Sequence, residues 1–212
     1  MNKPAQRTWR KPVISAAIGA LFGFGAMMGF LNLGGEVSAS WSGGRIALSG
    51  VGFVYLLTGL FVGFGILAPS LGARVLNVGD AEELREQRAI LSGSALSMGA
   101  FGAMLLLLAA AGAGGFVADW VAIAAMLASI AINIAIYLRQ WRLYDELWRQ
   151  LSWEGSAFAM HLLLPALILW AGLAHLGHLP AIDPLGVVAL AAAAVLLGAF
   201  MAAGRRGLLA QR

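Results

Sequence analysis

Apolar residues run along this chain in long blocks, and polar residues gather in short patches between them. A helix needs about 20 consecutive apolar residues to cross the hydrocarbon core of a bilayer. Six segments meet that length: Pro12–Leu33, Ile46–Ala68, Ile90–Ala113, Val117–Leu138, Gly155–Leu176 and Val187–Ala203. Alternation at period two is absent, which argues against a membrane β-barrel. The pattern predicts an all-α polytopic membrane protein, a six-helix bundle occupying residues 1–212 as a single integral membrane domain.

The charges between the blocks supply an orientation. Thirteen of the fourteen basic residues fall in the first tail, the second and fourth connections and the last tail; only Arg45 lies on the other side. Basic residues mark the cytoplasmic face, so both termini are expected in the cytoplasm. The first block has a basic front and the small-residue run Val37-Ser38-Ala39, as a signal peptide would. Its apolar stretch of 22 residues exceeds a signal core, and it reads as a retained anchor.

Composition narrows the function classes. The chain is 60% hydrophobic and 11% charged, against about 25% charged in average soluble domains. It has no Cys, which removes thiolate zinc, iron–sulfur and disulfide chemistry. The net charge of +4 follows from topology and attraction to anionic lipid headgroups, and no basic soluble domain offers itself to nucleic acid.

Small residues at helical spacing let helices approach closely in lipid, where no hydrophobic drive brings them together. Gly19 and Gly23, Gly25 and Gly29, and Gly59 and Gly63 are spaced in this way. They are expected to join the first two spans, or else to dock a partner. Pro165 is expected to bend the fifth span.

Two connections carry helical signals. Asp80 and Glu83 form a capping pattern, from which a helix over about 80–89 is expected to run unbroken into the third span. Tyr137, Trp141, Tyr144, Trp148 and Leu151 recur at spacings of four, three, four and three, one face of a helix across 139–154. Arg142–Glu146 and Asp145–Arg149 are expected ion pairs there. The aromatic face suits either the headgroup belt or a docked subunit. Gly93-Ser94-Ala95-Leu96-Ser97-Met98 also matches Gly155-Ser156-Ala157-Phe158-Ala159-Met160 at an offset of 62, which predicts a duplicated helical hairpin.

Asp145-Glu146-Leu147-Trp148-Arg149, followed by Glu154-Gly155-Ser156-Ala157-Phe158-Ala159, resembles a segment of small uncharacterised bacterial inner-membrane proteins. In those, a D-E-x-x-R run leads through a Glu into an Ala-rich transmembrane helix. The resemblance covers about fifteen residues and implies a bacterial inner-membrane location, with no activity attached.

Candidate chemistry is sparse. His161 is the titratable residue within a span, suited to proton relay, cofactor ligation or helix packing. His175, His178 and Asp183 are suitable metal ligands at the opposite face from the basic patches. A Ser94–His175 pairing of the kind used by rhomboid-type intramembrane serine proteases fails, because the two lie near opposite membrane faces. Three readings follow. The first is a non-catalytic subunit or scaffold of a larger membrane complex, with no cofactor and with lipid and a membrane protein, or further copies of itself, as partners. The second is a small-solute transporter or channel with a polar path near Ser94, Ser97, Asn133 and His161. The third, an intramembrane redox or metal enzyme, rests on three His alone.

Overall fold

The computed structural model describes residues 10–35, 40–68, 81–181 and 183–208. Among these, every regular element is an α-helix: α1 (Arg10–Gly34), α2 (Gly43–Leu67), α3 (Ala81–Glu86), α4 (Arg88–Ala110), α5 (Asp119–Gln140), α6 (Glu146–His175) and α7 (Pro184–Arg205). Five of them, α2, α4, α5, α6 and α7, are long and apolar enough to cross a membrane. Helices cover the apolar blocks to within about three residues of the expected bounds, except that α6 begins at Glu146 rather than Gly155. α1 covers the first block. Val37–Ala39 and Asp80 lie outside the described residues.

Successive long helices run in opposite directions, and their packing gives an open row in the order α5, α4, α2, α7, α6, with α1 resting on α2. The core sits where α2, α4 and α7 meet, around Leu48, Tyr55, Met104, Leu105, Ala109, Ala189 and Ala192. Small residues set the closest approaches. A Cβ on Gly59 would stand 2.6 Å from the Gly99 amide nitrogen and 2.8 Å from the Ala95 carbonyl oxygen, so α2 and α4 touch backbone to backbone there. Gly102 does the same against Gly52 and Leu56, and Gly198 on α7 against Gly155 and Ala159 on α6.

The first two spans do touch, through Met27 against Ser49 and Phe30 against Phe53, but not through the expected glycines. Gly59 serves the α2–α4 seam, and Gly63 makes ordinary contact with the Ala95 methyl at 3.9 Å from a built Cβ. Gly23, Gly25 and Gly29 on α1 face open space within 4 Å, and what Gly19 faces lies outside the described residues. The expected hairpin duplication does not appear as packing. α2 and α4 pack along their lengths, whereas α5 packs on α4 and α6 on α7 rather than on each other. The matched segments still share one role, since Gly93 meets α5 at Gln140 and Gly155 meets α7 at Ala199.

Two connections also depart from expectation. The helix entering the third span is broken at Gln87, whose φ of −83° and ψ of 0° separate α3 from α4. The aromatic run is interrupted by the turn 141–145, and α6 begins afresh at Glu146. Asp145 explains the break: its carboxylate accepts the Trp148 amide at 2.9 Å, which satisfies an otherwise orphaned donor of the first turn. The expected ion pairs do not form. Asp145 is the cap, Glu146 accepts from Gln150 Nε2 at 2.8 Å, and Arg149 lies over the Trp141 ring at 5.8 Å. From Glu146 the 30-residue α6 runs through Pro165 without interruption. At about 1.5 Å per residue it is longer than the hydrocarbon core is thick.

Candidate functional site

The two ends of the row differ in chemistry. Among the described residues, one end gathers Arg85, Arg88, Arg139, Arg142, Arg149, Arg205 and Arg206, because these sit in α3, in the turn 141–145, or at the start of α4 or α6 or the finish of α5 or α7. It is fastened by Gln140, buried at the end of α5. Its Nε2 donates to the Ile90 carbonyl at 2.6 Å, and its Oε1 accepts the Tyr144 hydroxyl at 3.0 Å. Burial pushes the Tyr144 phenol above its ordinary value. Glu154 pairs with Arg206 at 2.5 Å, joining α6 to the end of α7. Around the turn Tyr137, Trp141, Tyr144 and Trp148 stay ring to ring, with Tyr144 and Trp148 stacked at 6.1 Å. The four rings spaced in the sequence are thus clustered, although a turn and not one continuous helix brings them together.

The opposite end is organised by Arg45. Its guanidinium donates to the carbonyls of Ala111, Ala113 (3.1 Å) and Gly114 (3.2 Å), just past the negative end of α4. Positive φ at Gly112 (78°) and Gly114 (69°) turns these carbonyls toward it, and the Trp41 indole also donates to Gly114 at 3.2 Å. Arg45 lies 5.2 Å over the Trp41 ring. Arg45, the one Lys or Arg at this end among the described residues, is thus a cap for a helix end, a role invisible to a charge count.

Asp183 is committed as well. One carboxylate oxygen accepts the Gly186 amide at 2.6 Å and the other the Ser42 hydroxyl at 2.8 Å. The Gly186 amide and then the Ser42 hydroxyl hold this carboxyl below the usual aspartate value. The structure does not assemble His175, His178 and Asp183 into a metal site. Among the described residues no three His, Cys, Asp or Glu side chains stand together as metal ligands.

His161 lies on the exposed side of α6, with Nδ1 at 2.7 Å from the Ala157 carbonyl. A carbonyl only accepts, so Nδ1 carries the proton. Pro165 has no amide to give the His161 carbonyl, so the imidazole sits on a turn already missing one helical bond. Ser94 donates to the Ile90 carbonyl at 3.1 Å. Neither joins the residues that do form a cavity.

That cavity, of about 350 Å³, is lined by Tyr55, Ser97, Met98, Phe101, Met104, Ser129, Ile130, Asn133 and Val195. It lies between α5 and α7 over a floor of α2 and α4, near the midpoints of these helices. Ser97 donates to Asn133 Oδ1, and Asn133 Nδ2 donates to the Ser129 carbonyl at 2.9 Å. The Tyr55 hydroxyl donates to the Ala192 carbonyl at 2.9 Å, tying α2 to α7. Of the expected polar path, the structure unites Ser97 and Asn133 and leaves out Ser94 and His161. Tyr55 and Ser129 were not foreseen. Their signals were a Tyr in mid-span, away from the interface, and a Ser one turn before an Asn on an Ala/Ile helix.

No protein-family model, curated protein or solved structure matches the chain.

Proposed function

We propose that this is a six-span protein of a bacterial inner membrane, with α1 as the sixth span and both termini in the cytoplasm. In this reading it is a non-catalytic subunit or assembly scaffold of a larger membrane complex, and its partner is a transmembrane helix of another protein. The charge pattern supports the orientation, since the end that collects the arginines is the one that belongs in the cytoplasm.

The unused small-residue seams support the role. The open face of α1 carries Gly25 and Gly29 four apart, exposed, with nothing within 4 Å of a built Cβ. On α5, Ala124, Ala128, Ala131 and Ala135 are all exposed and form a groove between Ile123, Leu127, Ile130 and Ile134. The exposed face of α2 is different, with Val54, Leu60, Phe61, Phe64 and Leu67 turned outward, as suits acyl chains. Small-residue grooves are what helix backbones use to approach each other in lipid. Extraction of native membranes in a mild detergent or polymer disc tests the reading. A second membrane protein in near-stoichiometric amount is expected; recovery of this chain alone, as monomer or homo-oligomer, would contradict it.

A second reading, a small-solute transporter, draws on the cavity at Ser97 and Asn133. Solute flux in proteoliposomes, abolished by filling the cavity at Ser129 with Leu, is its expected signature.

A further inference from the structure

We propose that the mid-membrane cavity binds a neutral, lipid-soluble alcohol, a molecule with one hydroxyl on a hydrocarbon body. The mouth argues for a ligand that arrives through the bilayer. Ile130 and Val195 line the cavity yet are 57% and 55% exposed, and both sit near the middle of their helices. The opening is therefore on the flank of the row, at the depth of the hydrocarbon core. Its volume of about 350 Å³ holds the head and first carbons of such a molecule, with the tail leaving between α5 and α7.

The hydrogen-bond inventory selects the head group. A backbone carbonyl only accepts, so Asn133 must turn Nδ2 to the Ser129 carbonyl and Oδ1 to Ser97. The Ser97 hydrogen is then committed to Asn133, and the Tyr55 hydrogen to Ala192. Lone pairs remain on Ser97 Oγ, Tyr55 Oη and Asn133 Oδ1, and the Ser129 hydroxyl, which accepts from Asn133 at 3.4 Å, has its hydrogen to give. This is a ledge rich in acceptors with one donor beside them, the complement of a hydroxyl group.

Other head groups fit less well. An ester or ketone brings only acceptors to a ledge that already has them. A charged head costs several kcal/mol at this depth, and no Lys, Arg, Asp, Glu or His lines the cavity. A plain hydrocarbon leaves the lone pairs facing a dry wall. Met98, Met104 and Phe101 provide the adaptable apolar walls for the body. The inference does not require the subunit reading: a partner on α1 leaves the cavity untouched, whereas one on α5 would share Ile130 at its mouth, so the test uses the chain without a partner.

The test uses the full chain in phosphatidylcholine nanodiscs and a farnesol analogue bearing a diazirine and an alkyne. Light is expected to attach it saturably at Met98, Phe101, Met104 or Ile130. Farnesol should compete about five-fold or more better than farnesyl methyl ether, the difference expected from one donated hydrogen bond. Asn133→Ala should erase most of that preference. Val195→Trp, at a half-exposed position outside the buried core cluster, should abolish labelling by closing the mouth. Equal competition by alcohol and ether would overturn the proposal in favour of a lipid tail alone. Labelling elsewhere, or labelling that persists in the Val195→Trp protein, would overturn it as well.

Discussion

Replacing Gly59 by Ala probes the contact on which the row depends. The added methyl would lie 2.6 Å from the Gly99 nitrogen and 2.8 Å from the Ala95 oxygen, both backbone atoms of α4 that no rotamer change can move. Restoring ordinary contact requires α2 and α4 to part by about 1 Å, and a gap of that size forfeits a quarter to a half of each dispersion well along the seam. Overpacking of this kind costs about 1–3 kcal/mol. Gly25→Ala is the matched control, because nothing stands within 4 Å of its built Cβ. There the better helix propensity of Ala, up to about 1 kcal/mol in water, makes the change neutral or slightly favourable. Unfolding of the purified chain by SDS titration in mixed micelles, followed by ellipticity, measures both. Equal stability of the two variants would refute the backbone-to-backbone seam.

Three further outcomes follow from the polar contacts. Arg45→Ala should lower stability in the same assay by about 2 kcal/mol, since it uncovers three carbonyls at the end of α4, and Arg45→Lys should recover only part because one ammonium cannot span them. Tyr55→Phe should cost about 1 kcal/mol by removing the bond to Ala192, measured likewise. Asp183 has a folded-state carboxyl held below its ordinary value by Gly186 and Ser42, so its stabilisation is full above the ordinary aspartate range and fades as pH falls below it. The gap in thermal stability between wild type and Asp183→Ala should therefore be wide at neutral pH and narrow under acid; a gap independent of pH would contradict this.

Much of the architecture was legible because one constraint dominates it. A backbone in lipid must satisfy its own hydrogen bonds, so an apolar run of sufficient length becomes a helix whatever its details. The turn at 141–145 was not legible, since the spacing of Tyr137, Trp141, Tyr144 and Trp148 is as helical as that of a continuous helix. The capping carboxylate of Asp145 outweighed it, and the same carboxylate could be read as an ion-pair partner of Arg149. Glycine pairing was ambiguous for another reason. With 28 Gly in the chain, spacing alone cannot say which pair meets a neighbour, and the pair on α1 was left open while Gly102 and Gly198 formed seams. The cavity was half legible: Ser97 and Asn133 stand out as polar residues within spans, and Ser129 lies one turn before Asn133 on the same helix, but Tyr55 joins them only through the packing of α2 on α4.

Photocrosslinking in living cells tests the central claim, that the small-residue faces of α1 and α5 meet another protein. p-Benzoylphenylalanine at Phe24 and at Leu127 flanks the two seams without filling them, and the same residue at Phe61 marks the bulky face of α2. A discrete protein adduct is expected at Phe24 or Leu127 and lipid adducts alone at Phe61. Lipid adducts alone at all three positions would contradict the account.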